Sequence, residues 1–214
     1  MIEYTYPNNP DDRIIQRAVQ ILEQGGVVAY PTDSSWALGC SSESSKGLDR
    51  LSSLREDKRT KFSLICSSIS EMSQYAIMDT PTFRFVKSLT PGPFVFILQT
   101  IHKIEKKIGI KRVEVGLRIP DHQVPLRLAS LLGCPIFSLT ASKDMSDIYS
   151  IEDEYTEELL FQEAWELDVL DGVDMIIDTG ETLERSLSTV FRISSAGVEV
   201  VRQGKGSFDP SLLG

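Results

Sequence analysis

Histidine is nearly missing from this chain, and with it most of the chemistry that needs an imidazole. The two present, His102 and His122, stand at zinc-ligand spacing neither with each other nor with the cysteines, so no metal-binding motif is legible. The patterns Gly-x-Gly-x-x-Gly and Gly-x-x-x-x-Gly-Lys-Ser/Thr do not occur, which removes the dinucleotide fingerprint and the Walker loop. No nucleophile elbow supports a Ser-His-Asp or Cys-His centre. No apolar run reaches the roughly 18–20 residues that span a bilayer, and the first seven residues, Met1 to Pro7, lack the basic-then-apolar order of a secretion signal. Cys40, Cys66 and Cys134 are an odd set, far apart, each in or beside an apolar run. Buried, reduced thiols in a cytoplasmic protein without a membrane partner are the expectation.

A surplus of basic charge is missing too. The net charge of −9 runs against the basic face that usually marks nucleic-acid binding. The acid is uneven: residues 147–174 are rich in Asp and Glu, whereas the seven residues from Arg55 to Lys61 carry four cations. A local positive pocket in an acidic protein suits a small polyanion better than a long duplex. Apart from this, the 41% hydrophobic and 25% charged residues are ordinary for a soluble globular chain, and 214 residues suffice for one core. A single domain over 1–214 is expected, with no repeat, low-complexity tract or linker.

Helical and strand patterns alternate with short connections. Asn9-Pro10-Asp11-Asp12 predicts a capped helix start with proline in the first turn. The stripe Ile14, Ile15, Ala18, Val19, Ile21 and Leu22 follows, and Gly25-Gly26 stops it. Further helices are predicted over 45–54, 81–89 and 123–132. Strands are predicted over 27–30, 62–66, 94–98, 113–119, 135–140, 175–178, 189–193 and 198–202. Residues 147–170 read as a polar loop and then an acidic helix.

The most informative stretch runs from Gly25 to Gly39, Gly-Gly-Val-Val-Ala-Tyr-Pro-Thr-Asp-Ser-Ser-Trp-Ala-Leu-Gly. A buried strand ends at Pro31, and the hydroxyls of Thr32, Ser34 and Ser35 with the Asp33 carboxylate project beyond it, where open α/β sheets place ligands. The plainer alternative is a turn whose hydroxyls bond their own backbone.

Thr32-Asp33-Ser34 and their neighbours resemble the Pro-Thr-Asp-Thr-x-Tyr-Gly-Leu signature of the YrdC/YciO family, which contains threonylcarbamoyl-adenylate synthases. Four further segments agree in order: Leu89 to Leu98 with Leu-Thr-Pro-Gly-Pro, and Val115 to Pro120 with Val-x-x-Arg-x-Pro. Pro135 to Ser142 sits where that family has Ser-Ala-Asn, and Ser188 to Val190 with Val201 to Gly204 match its closing strands. The resemblance implies one α/β domain, a twisted mixed parallel and antiparallel sheet with flanking helices around a concave electropositive cavity. It also implies a reaction: ATP, L-threonine and bicarbonate combine into threonylcarbamoyl-AMP, pyrophosphate leaves, and downstream tRNA-modification proteins use the product. Such chemistry needs cations for the triphosphate and exclusion of water from a labile carbamate, but no covalent nucleophile. Magnesium is expected to be held mainly by the phosphates and water.

Carried over by position, Thr32, Ser34, Arg118, Thr140 and Ser188 are implied to bind threonine, with the Arg118 guanidinium suited to its carboxylate. The plainer reading of Arg118 is a buried ion pair. Arg55, Lys58, Lys61, Ser142 and Arg202 are implied to bind ATP. Several positions depart from the family pattern: Trp36 replaces tyrosine, Ala37 replaces glycine, and Thr140-Ala141-Ser142 replaces Ser-Ala-Asn. The Lys-x-Arg pair is broken, falling on Ser53 and Arg55 in one alignment and on Glu56 and Lys58 in another. Which cation of that segment faces inward is left open. These departures resemble the YciO branch, for which a nucleotide- or RNA-binding role, with tRNA or double-stranded RNA as partner, is the alternative to synthesis.

Overall fold

The computed structural model describes residues 1–54, 62–101, 114–143 and 157–213. Ten strands form one mixed sheet: β1 (Ile2–Tyr4), β2 (Val28–Tyr30), β3 (Ala37–Ser41), β4 (Ser63–Ile65), β5 (Phe94–Gln99), β6 (Glu114–Arg118), β7 (Ile136–Thr140), β8 (Met175–Asp178), β9 (Thr189–Ser194) and β10 (Gly197–Arg202). Their order across the sheet is β1-β8-β2-β3-β7-β4-β6-β5-β9-β10. Four pairs are parallel (β1/β8, β2/β8, β4/β6, β5/β9) and the other five antiparallel. The helices are α1 (Asp12–Glu23), α2 (Ser45–Ser53), α3 (Ile69–Met72), α4 (Thr80–Leu89) and α5 (Gln123–Leu132).

Each helix start has a local cause. Asp11 caps α1 by accepting the Arg13 N–H at 2.8 Å, so Pro10 precedes the cap rather than occupying the first turn. Ile15, Ala18, Val19 and Leu22 form its buried stripe, and Gly25 turns the chain at φ 78°. His122 caps α5, its Nδ1 accepting the Val124 N–H at 3.2 Å. The other ring nitrogen therefore carries the proton and donates to Glu181 at 3.1 Å. Gly133, at φ 71°, ends α5.

Both faces of the sheet are covered. On one, α1 and α5 pack over Val28, Tyr30, Ile65, Ile136, Met175 and Ile177. On the other lies a larger core with Trp36, Leu38, Leu64, Leu117, Leu139 and a cluster of phenylalanines. Phe85 meets Phe191 edge-on at 5.1 Å, and Phe208 closes on Phe191 at 4.9 Å, a preferred aromatic geometry. Strands buried on both faces carry continuous apolar runs, and β2 and β8 do.

Two strands and one short helix carry no clear sequence signal. β3 is small residues apart from Leu38, and Gly39 within it is required by packing: a Cβ there would stand 2.8 Å from the Tyr30 ring and 2.6 Å from Ile136. Tyr30 thus lies across β3 and donates its hydroxyl to Ser138 Oγ at 2.9 Å. The predicted acidic helix is corrected. Its described part is two short 3-10 turns, Glu157–Leu159 and Ala164–Val169, the second held by a Glu163/Glu166 capping box. All three cysteines are free and buried.

Candidate functional site

The turn between β2 and β3 is the hub. Thr32 Oγ1 donates to the Ser35 carbonyl at 2.7 Å and accepts the N–H groups of Ser34 and Ser35 at 3.2 Å each. Thr32 therefore spends its hydroxyl on its own turn, as the plainer reading expected. Ser34 does not. Its hydroxyl lies 3.3 Å from Thr32 Oγ1, 3.2 Å from Ser188 Oγ and 3.0 Å from Arg118 Nη2, which donates to it.

Arg118 ends β6 on the face shared with Tyr30. Its Nη2 also lies 3.5 Å from Thr32 Oγ1 and pairs with the Asp33 carboxylate. The side chains of Arg118 and Asp33 are 8% and 11% exposed, so the charges face each other with little water between them. The other Asp33 oxygen accepts the Asp121 N–H at 2.9 Å, tying the turn to the segment that leads into α5. Arg118 Nε is buried with no hydrogen-bond partner, an uncommon condition for a guanidinium donor. The plainer reading of Arg118, a buried ion pair, is therefore observed, and the same guanidinium also reaches Ser34.

Ser188 comes from the residues just before β9. Arg202, at the end of β10, donates Nε and Nη2 to the Ser188 carbonyl at 3.2 and 3.0 Å. Ser186 Oγ donates to the Ser34 carbonyl at 3.3 Å. The connection after β10 grips the same place: Thr189 Oγ1 donates to the Gly206 carbonyl at 2.7 Å and accepts the Gly204 N–H at 2.9 Å.

On its other side the turn is stitched to β7. Thr140 lies opposite Ala37 in register, and the Ala141 N–H donates to the Trp36 carbonyl at 2.9 Å. Ser142 is fully buried and bridges to Leu160. Trp36, also fully buried, sends its indole N–H 3.1 Å to the Gln162 carbonyl. In place of tyrosine, tryptophan here anchors residues 157–170 against the hub. Glu166 fastens the same segment. Burial raises its pKa, but Lys143 and the N–H groups of Gln162 and Glu163 outweigh that and hold it down at about 2.

Of the residues singled out from sequence, Thr32, Ser34, Arg118, Ser188 and Arg202 are joined by this network, and Thr140 and Ser142 flank it through β7. Arg55, Lys58 and Lys61 lie outside the described residues. Asp33 was legible as a projecting carboxylate but not as the partner of Arg118, because the two are 85 positions apart. Among the described residues no group of three His, Cys, Asp or Glu could hold a metal ion, and no helix is long and apolar enough to cross a membrane.

A family model for Sua5/YciO/YrdC domains, described as "Telomere recombination", matches residues 20–204. An uncharacterised protein of Haemophilus influenzae is 36% identical over 213 residues, covering 98% of both chains. Escherichia coli YciO, also uncharacterised, is 33% identical over 98% of both chains, and its crystal structure superposes with a TM-score of 0.80. Threonylcarbamoyl-AMP synthase of Mus musculus is 29% identical over 89% of this chain and 64% of its own length. P. abyssi Sua5, solved with L-threonine, shares the fold at a TM-score of 0.78 and 21% identity, over 95% of this chain and 57% of its own. By sequence match along most of its length and by fold, the chain belongs to the Sua5/YciO/YrdC family.

Proposed function

We propose that this protein is a threonylcarbamoyl-AMP synthase-like nucleotidyltransferase. It takes L-threonine, bicarbonate and ATP, forms the carbamoyl adenylate, and releases pyrophosphate in the cytoplasm for threonylcarbamoylation of a tRNA adenosine. The observation that carries this reading is the buried Arg118, converging with Ser34 and Ser188 from three distant parts of the chain. A guanidinium held among hydroxyls in a poorly hydrated place binds a carboxylate far better than an exposed one does. The relationship to Mus musculus threonylcarbamoyl-AMP synthase, and the fold shared with a Sua5 solved with L-threonine, support the same substrate.

In this reading Arg118 takes the threonine carboxylate, Ser34, Thr140 and Ser188 orient the amino acid, and Thr32 serves by holding the turn that presents Ser34. Arg202, Ser142 and the cations Arg55, Lys58 and Lys61 serve the nucleotide. Magnesium screens the phosphates and is held by them and by water. The deprotonated threonine nitrogen bonds to the bicarbonate carbon and a bicarbonate oxygen leaves as water. The carbamate so formed is labile, and a shielded cavity protects it until its oxygen attacks the α-phosphorus and pyrophosphate leaves.

One observation favours a second reading, nucleotide or RNA binding with weak synthesis or none. Ser142, at the position implied for ATP contact, is fully buried and bridged to Leu160. Pyrophosphate release decides between the two. Release that requires ATP, magnesium, threonine and bicarbonate together is the expected result, and its absence at saturating concentrations of all four would leave only the binding role.

A further inference from the structure

Arg118 is not a free cation. It meets the Asp33 carboxylate in surroundings that exclude most water, so the two charges nearly cancel. A ligand that brings only a negative charge gains Arg118 but faces Asp33 beside it. In a poorly hydrated place that repulsion is not screened away. A ligand carrying both charges a short distance apart finds a partner for each.

Asp33 has room for such a role. Its two oxygens have spent one contact each, on Arg118 and on the Asp121 N–H, and a carboxylate offers about four acceptor positions. The Asp121 bond fixes the carboxylate plane from a second element, so its remaining lone pairs have a set direction. On the other side of the pair, the buried Arg118 Nε is left without a partner. Asp33 has drawn the guanidinium toward itself through Nη2, and the cation's donor capacity is not exhausted.

We propose that Asp33 is a specificity-determining residue that receives the ammonium group of the amino-acid ligand, so that the Arg118–Asp33 pair selects a zwitterion over a simple carboxylate. The inference rests on the reading that an amino acid binds at Arg118.

The experiment compares L-threonine with 3-hydroxybutyrate, which is threonine without its amino group, by ligand-observed NMR titration of wild type and Asp33→Asn. Asparagine keeps an oxygen for the Asp121 N–H and removes the charge. Wild type should prefer threonine by about ten- to a hundredfold, the scale of a hydrogen bond between charged groups, and Asp33→Asn should bring the ratio near one. A merely structural role would weaken both ligands together and leave the ratio unchanged, which would overturn the inference while keeping the amino-acid site. Wild type that binds neither ligand would overturn both readings. Should Asp33→Asn fail to fold, wild type still tests the idea with L-threoninol and butane-1,3-diol, which differ only by the ammonium. Tighter binding of threoninol is expected, and equal binding would refute a role for Asp33.

Discussion

Arg118 shows how a single side chain can be both packed and poised. Removing it has two consequences that separate experimentally. Arg118→Ala should weaken threonine binding by about 2–3 kcal/mol, the range for hydrogen bonds to charged groups, as read by calorimetry on protein that is folded by circular dichroism. It also strands the Asp33 carboxylate in a poorly hydrated place, so urea unfolding should register a loss on the order of 3 kcal/mol. The double variant Asp33→Asn/Arg118→Ala should recover part of that loss, since the unpaired charge is gone. The signature Thr32-Asp33-Ser34 and the strand arginine were legible from sequence because each sits in a short, dense motif. Their mutual contact was not, since nothing local links positions 33 and 118. Trp36 is similar: the sequence marks it as a departure from tyrosine, but only the fold shows that its indole N–H reaches Gln162.

Elements with a strong period or clear punctuation were legible nearly to the residue. α5 runs over the predicted 123–132, and β8 over the predicted 175–178. β3 escaped because it is buried on both faces and built of small residues around a single Leu38, so neither alternation nor β-branching marks it. β1 lacks a signal for another reason: it is a three-residue edge strand completed by β8. The acidic segment has charge enough for a solvated helix, yet Trp36 and Arg185 hold the Gln162 and Leu160 carbonyls between its two 3-10 turns, and Lys143 pairs with Glu166 in the second. The connection after β10 makes a prediction of its own. A Cβ on Gly204 would stand 2.3 Å from the Leu187 carbonyl and 2.6 Å from the Ser188 carbonyl carbon. Gly204→Ala should therefore cost about 1–3 kcal/mol of stability, as overpacking does, and should disturb Ser188 with it. Thermal unfolding and threonine titration should move together in this variant.

At the scale of the molecule, acid dominates the charge, and its response to pH follows from which carboxylates are held. The folded pKa of Glu166, at about 2, lies below that of a free glutamate. Its stabilisation is therefore fully present above the unfolded value and is lost as pH falls toward 2. Asp174 works in the same direction. Burial raises its pKa, but Arg50 and the Val27 N–H together bring it down. Stability should decline as pH drops below about 4.5, where unfolded carboxylates begin to take up protons more readily than these two. Glu166→Gln should flatten that decline, measured as urea midpoints between pH 5 and 2.5, and an unaltered slope would remove Glu166 from the account. The sheet as a whole was legible only as a class. Strand order depends on partners far apart in sequence, such as β5 beside β9.

That last pairing sets a timetable for synthesis. Ser34 and Arg118 leave the ribosome well before Ser188, and Ser34 waits 154 positions for the Ser188 hydroxyl. β9, which follows Ser188, and β10, which ends in Arg202, enter the sheet beside a β5 whose outer edge stays open until they arrive. A nascent chain that stops short of Ser188 lacks both the hydroxyl that lies 3.2 Å from Ser34 and the carbonyl that Arg202 grips. The network that joins Ser34, Arg118, Ser188 and Arg202 is thus completed by nearly the last strands to emerge.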